Sequence, residues 1–363
     1  LANSSVPSGI KMAGHYNGKI DSPRLCRTAL SRQDIETMKM YRPFHFAKHV
    51  ATGVLLASVA LTAQADQSLW SLVWASHDQA KFLSYSGLLI TESGKHSQTS
   101  KLLHQATAGS EFEVLERLDG QPAKWIRHND QIQCVIPDRK MILTERRHTS
   151  IAFPRVLAGA DGSNSLEKLY TISEMPGRRV AGRAVRVLKL TPKDDLRYEY
   201  RLYVDRENKL LMRSELYSPQ GEVLENVGFK EISFEPALIE NPSLVKAGPG
   251  WRTSSTEVRT LTSDELSYDL PDLAFGFKKA DTVCRVKSKD DQIHQTVYSD
   301  GLSTLSVFIQ KVQANHSMPQ VPMSHGAVMS KSETQGQHLV TVLGEVPEKT
   351  LGLFLKSVRW KSQ

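Results

Sequence analysis

Nine histidines lie beyond the first 65 residues, at 77, 96, 104, 128, 148, 294, 316, 325 and 338. Histidine serves general acid–base work and metal ligation more readily than other side chains. None of the nine stands in the His-Glu-x-x-His spacing or another close ligand arrangement. Asp194-Asp195 and Asp290-Asp291 are adjacent carboxylates, each in a Lys-rich polar stretch. That setting describes solvated turns and not an acid paired with a base. Gly159-Ala-Asp-Gly-Ser-Asn-Ser165 is rich in small residues but lacks the Lys-Ser/Thr ending of a phosphate cradle, and no Gly-x-Ser-x-Gly elbow occurs. Spacing cannot reveal a triad assembled in space. The reading is a binding protein and not an enzyme, with no cofactor and no metal.

Cys134 and Cys284 could pair in an oxidising compartment. Each sits in an apolar strand pattern, Ile132-Gln-Cys-Val-Ile136 and Thr282-Val-Cys-Arg-Val286, so both are read as free and buried. Without a Cys-x-x-Cys there is no sign of a redox pair or a zinc ribbon.

Export is expected on physical grounds. A basic, aromatic segment with Lys39, Arg42 and Lys48 leads into the uncharged run Val50 to Leu61, and Ala63-Gln64-Ala65 offers a small-x-small cleavage pattern before Asp66. The run is too short to cross a bilayer core, which takes about 20 residues. Residues 38–65 therefore read as a signal peptide, and the polar residues 1–37 as an over-extended or disordered leader. The chain carries 46 basic and 39 acidic residues, net +7. Residues 1–65 hold 8 basic and 3 acidic ones, leaving 38 against 36, net +2, in the remainder. That near balance argues against a nucleic-acid partner, and Arg146-Arg147-His148 and Arg178-Arg179 read as solvated faces.

The remainder is long enough for two cores. Apolar residues at a 3.6-residue period predict one helix from Gln67 to Leu83. Period two follows in Ser86–Thr91, Ser100–His104, Glu111–Arg117, Trp125–Arg127, Gln131–Ile136 and Met141–Thr144. An irregular or helical excursion spans Val156 to Ile172. The clearest hairpin is Arg197 to Tyr217, with Tyr198, Tyr200, Leu202 and Val204 on one face and Leu210, Met212, Ser214 and Leu216 returning. A further strand runs from Val223 to Phe234. Serial hairpins with one apolar face need cover, and the helix supplies only part of it. The uncovered part is a candidate apolar pocket, assigned to Leu88, Ile90, Leu102, Val114, Tyr198, Tyr200, Leu202, Leu210 and Met212.

Prolines, glycines and a Ser/Thr-rich stretch over 237–267 read as a linker, making relative movement of the two domains the default. The first domain is placed at 66–236 and the second at 268–363. The second is read as strands Thr282–Lys287, Gln292–Tyr298, Leu302–Val312 and Leu339–Leu343, a mobile loop over 313–337, and a helix from Glu348.

Two stretches of the second domain, Tyr298-Ser-Asp-Gly-Leu-Ser-Thr-Leu-Ser-Val-Phe308 and His338-Leu-Val-Thr-Val-Leu-Gly-Glu-Val-Pro-Glu-Lys-Thr350, resemble the MucB/RseB family. These are periplasmic proteins that restrain the sigma-E envelope-stress factor. Tyr268-Asp-Leu-Pro271 with Gly276-Phe277 is similar to the family's Leu-Pro-x-Gly-Phe opening, with a wider spacing here. The resemblance implies an α+β fold: a large half-open antiparallel β-barrel with covering helices, like the lipoprotein carriers LolA and LolB, plus a smaller C-terminal α+β domain. It implies a regulator that binds the periplasmic region of a single-span membrane anti-sigma factor, protects it from regulated proteolysis, and releases it when lipid or lipoprotein acyl chains signal stress. The alternatives are a periplasmic lipid or lipoprotein carrier and a hydrolase with a cryptic site. Along Leu302–Ile309, Leu302, Thr304, Ser306 and Phe308 alternate with Ser303, Leu305, Val307 and Ile309. Only one face can enter so small a core, which leaves an apolar residue such as Phe308 outside. Partner contact is accordingly assigned to Tyr298, Leu302 and Phe308, with a homo-oligomer contact or cover by 313–337 as the alternatives.

Overall fold

The computed structural model describes residues 58–107, 109–146, 153–154, 157, 165–255, 257–271, 275–288, 291–312 and 323–361. The leader, the basic and apolar parts of the export signal through residue 57, and most of the Gly159–Ser165 loop lie outside them. Among the described residues no helix is long and apolar enough to cross a membrane.

Helix α1 (Ser58–Phe82) opens the described chain, and its residues Leu69, Trp70, Leu72 and Val73 are buried. A meander follows: β1 (Tyr85–Ser93), β2 (His96–Thr107), β3 (Ser110–Arg117), β4 (Lys124–His128), β5 (Gln131–Ile136) and β6 (Met141–Arg146). After the short helix α2 (Ser165–Leu169) come β7 (Tyr170–Val180), β8 (Arg183–Pro192), β9 (Glu199–Asp205), β10 (Leu211–Tyr217) and β11 (Val223–Ser233). With β12 (Arg252–Ser255) they form one sheet in the order β12-β6-β5-β4-β3-β2-β1-β11-β10-β9-β8-β7. Among the described residues the ladder does not close, so β12 and β7 remain edges and the barrel is half open.

Strands β13 (Glu257–Thr260), β14 (Tyr268–Asp269), β15 (Lys278–Ser288), β16 (Asp291–Ser299) and β17 (Thr304–Lys311) follow. Then come β18 (Met323–His325), β19 (Val328–Gln335), β20 (His338–Gly344), α3 (Glu348–Ser357) and β21 (Arg359–Trp360). The second sheet has the order β13-β15-β16-β17-β20-β19-β18, and β14 pairs with β21. Helix α3 buries Leu351, Phe354 and Leu355 against this sheet, where Tyr298 and Phe277 meet Phe354 at ring separations of 4.9 and 5.7 Å.

Several expectations are corrected. The excursion expected through Ile172 ends earlier: from Tyr170 the chain is strand, and β7 pairs with β8 across a bulge between Met175 and Arg178. Exposed charges at Glu174, Arg178 and Arg179 mask that strand's alternation. Residues 323–335, expected in a mobile loop, are strands β18 and β19, the latter laddered to β20 through Met329–Gln335. Their Ser- and Thr-rich composition suits a sheet rim as well as a loop. Cys284 is a buried thiol. Cys134, expected to be free, is disulfide-bonded and does not pair with Cys284; a strand pattern fixes burial but not what a thiol reaches.

Residues 237–255 run across the outer face of the first sheet. Gln105 exchanges hydrogen bonds with the backbone of Ile239 (3.0 and 2.9 Å), and Gln133 does the same with Val245 (3.3 and 2.8 Å). Each glutamine amide thus imitates a strand partner for a chain that has no ladder of its own. Leu244 and Trp251 then cover a small cluster of Phe112, Val114, Ile126, Val135 and Ile142. Beyond it β12 pairs with β6 in the first sheet and β13 with β15 in the second.

Candidate functional site: a buried polar node between the two sheets

The barrel's inner face is filled. Leu102, Tyr200, Leu202, Leu210 and Met212 are at most 1% exposed and Tyr198 is 5% exposed, all in one core with α1. Leu88, Ile90 and Val114 are half-buried and stand outside that core. On β1 it is Leu89, not its neighbours, that enters the core, because the pleat sends successive residues to opposite faces. Val114 packs on the other side, against the cluster of Phe112, Ile126, Val135 and Ile142 that Leu244 and Trp251 also meet. The nine residues assigned to a lipid pocket therefore divide between the two faces of the sheet.

What completes the cover comes from the second sheet. Leu302, in the turn between β16 and β17, is fully buried and belongs to the first sheet's core, together with Ala327 between β18 and β19. Gly326 lies so close that a Cβ there would stand 1.6 Å from Ser93 Oγ, and its φ of +63° also favours glycine. Tyr198 donates to Met329 Sδ at 3.5 Å. At the start of α3, Thr350 Oγ1 donates to Leu196 O at 2.7 Å, and exposed Lys349 pairs with Asp195. The adjacent carboxylates read as a solvated turn therefore contribute a contact between the sheets.

The turn is held by one ion pair. Arg197, just before β9, donates from Nε to Asp300 Oδ2 at 2.6 Å, and neither side chain is exposed. The other nitrogens of the guanidinium reach Asp194 and the carbonyl of Phe275, and its Cζ lies 4.7 Å from the centroid of the Phe277 ring. Asp300 Oδ2 also accepts from Tyr170 OH at 3.1 Å, while Oδ1 accepts from the amides of Leu302 (2.8 Å) and Ser303 (2.7 Å). Ser303 Oγ stands 3.2 Å from Tyr200 OH. A carboxylate has about four acceptor sites, and all are used here. This satisfaction matters because an ion pair removed from water gains stability only where its remaining hydrogen-bonding capacity is met.

The electrostatics follow the geometry. Burial is the largest single influence and lowers the Arg197 pKa, but Asp300, Tyr170 and Asp194 together outweigh it and the guanidinium ends above its ordinary value. Burial first, and the Asp300 charge second, push Tyr170 well above the usual phenol. Burial and Glu345 do the same to Tyr200, and they push Tyr198 up to about 12. All three phenols are therefore neutral at physiological pH.

Gly276 completes the node. Its φ is +91°, and a Cβ there would come within 2.7 Å of Leu169 in α2. Phe275, Gly276 and Phe277 thus form a surface fitted to Arg197 and α2, although this opening was noted in the sequence only as a resemblance. The residues assigned to partner contact are separated. Tyr298 lies in the second core, Leu302 in the first, and Phe308 is half-buried on the opposite face of β17 from Leu305, Val307 and Ile309. Sequence reasoning missed Arg197, Asp300, Tyr170 and Ser303 as a group. The Ser299-Asp-Gly301 turn was legible, but nothing in the chain indicates that Asp300 meets a residue 103 positions away.

Among the described residues no group of three or more His, Cys, Asp or Glu could hold a metal ion. The fold and this node define a two-domain protein in which a half-open barrel is closed by turns of its own C-terminal domain. Residues 73–247 match the MucB/RseB N-terminal domain and residues 262–359 the MucB/RseB C-terminal domain. The chain belongs to the MucB/RseB family. It is 23% identical to the sigma-E factor regulatory protein RseB of Haemophilus influenzae, over 86% of this chain and 97% of that protein. To the sigma factor AlgU regulatory protein MucB of Pseudomonas aeruginosa it is 27% identical, over 84% and 94%. The solved MucA/MucB complex of Pseudomonas aeruginosa contains a similar fold, with a TM-score of 0.62, 23% identity, and coverage of 81% of this chain and 99% of that one. A crystal structure of MucB with MucA(peri) gives a TM-score of 0.61 at the same identity and coverage.

Proposed function

We propose that this protein acts in the periplasm, where it binds the periplasmic segment of a single-span anti-sigma factor and shields it from the protease that starts its destruction. Acyl chains of envelope lipid or lipoprotein, entering the first domain, weaken that hold. The observation that carries the reading is the presence of both family domains in one chain, a regulator's architecture. A lipid or lipoprotein carrier, the alternative, would need only the first domain. Partner contact is placed on the C-terminal domain, at the face of β17 that carries Phe308.

The mechanism is linkage. A ligand that prefers one arrangement of the domains, while the partner prefers another, lowers partner affinity by the difference, and about 1–3 kcal/mol of coupling corresponds to roughly 5- to 150-fold. Calorimetry of the full chain with the periplasmic segment of its own genome's anti-sigma factor tests the reading. Saturable binding that weakens when a long-chain fatty acid is added is expected. Absence of binding would reject regulation through the anti-sigma factor.

A further inference from the structure

The inner residues assigned to acyl chains are already covered. Leu102, Tyr200, Leu202, Leu210 and Met212 share a core with Leu302, which arrives from the C-terminal domain and is fully buried. Interiors pack to crystal-like density, so an acyl chain cannot take this place while Leu302 occupies it. We propose that the Asp300–Ser303 turn is a removable plug: an entering acyl chain takes the place of Leu302, and its entry separates the two domains at the Arg197–Asp300 pair. This inference rests on the acyl-chain reading above and adds the route by which that ligand acts.

Three features fit a plug better than a permanent core element. The turn inserts a single apolar side chain between two polar ones, Asp300 and Ser303, so expelling it exposes little apolar surface. Asp300 carries its own caps, the amides of Leu302 and Ser303, and can keep the turn's shape after leaving Arg197. Arg197 in turn keeps Asp194 of its own domain, so it is not left as a bare buried charge. The other contacts across this seam are Ala327 in the same core, Tyr198 on Met329, the buried bond of Thr350 to Leu196, and the exposed pair of Lys349 with Asp195, which water can replace.

Locking the rim tests the plug. Asp195→Cys with Lys349→Cys places thiols at two exposed positions on opposite domains, to be bridged by a short reducible bismaleimide. Parent protein treated with the same reagent serves as the control for the native cysteines. The probe is cis-parinaric acid, a fluorescent fatty acid, added to the full chain. Bridging should weaken probe binding at least tenfold and reduction of the bridge should restore it. Leu302→Ala, which shrinks the plug, should bind several-fold tighter; if that variant does not fold, the bridged protein decides alone. Equal binding with the bridge open and closed would overturn the plug and leave the acyl-chain reading standing. Failure of the unbridged parent to bind the probe would remove both.

Discussion

Arg197 and Asp300 stand on different domains, yet they form a 2.6 Å ion pair with no exposed side-chain surface. Each belongs to a segment that is polar in sequence and buried only because the other covers it. The pair is the point at which the barrel's open side and the C-terminal domain become one structure.

Removing Arg197 leaves the buried Asp300 carboxylate without a counter-charge, which costs about 3–5 kcal/mol, whereas removing Asp300 leaves Asp194 on the guanidinium. Arg197→Met should therefore lower stability by that order and Asp300→Asn by less, and the double variant should lose less than the sum. Guanidinium denaturation of the full chain measures this. Losses below about 1 kcal/mol in both single variants, the range of exposed pairs, would show that the pair does not hold the domains.

The phenols predict an alkaline limit. A phenol ordinarily ionises near 10, whereas Tyr198 is pushed up to about 12 and burial holds Tyr170 and Tyr200 well above the ordinary value. Because the folded pKa is raised, the stabilisation is complete below about pH 10 and is lost as the pH climbs toward the folded values. Denaturant midpoints should hold steady to pH 9 and fall from about pH 10 upward, with a shallower fall in Tyr200→Phe. A flat profile to pH 12 would contradict the burial of these rings.

Gly276→Ala adds a methyl at a positive φ and within 2.7 Å of Leu169. An L-residue held in that region costs on the order of 1–3 kcal/mol, so the thermal midpoint should drop by several degrees. Gly336→Ala is the internal comparison, since its φ is +61° but nothing lies within 4 Å of an added methyl. Equal losses at the two sites would assign the effect to backbone conformation alone and not to the contact with α2.

Phe308 is half-buried on the face of β17 turned away from the C-terminal core. If it anchors the anti-sigma segment, Phe308→Ala should weaken that binding by at least tenfold, since aromatic anchors of interfaces are worth about 2 kcal/mol or more. Denaturant midpoints of the variant should change far less than those of Phe354→Ala, where a fully buried ring is lost. Unchanged calorimetric affinity would place the contact elsewhere.

Local chemistry made much of the architecture legible in the sequence. Period-two alternation located the meander from β1 to β6 and the β9–β10 hairpin, and the Leu351, Phe354 and Leu355 stripe located α3, because each pattern is imposed by the pleat or the helical turn itself. The motif around Tyr298–Phe308 pointed to the family before any fold was known. What the sequence could not supply was the meeting of distant segments. Alternation shows that Leu88 and Leu89 face opposite ways but not which of them faces α1, and it cannot say that Leu302 leaves its own sheet to enter the core of another. Tertiary structure decided those points, because the side of a sheet that becomes interior depends on what is packed against it. Here that cover is a turn that follows Arg197 by about a hundred residues and is held by a carboxylate whose every acceptor position is filled.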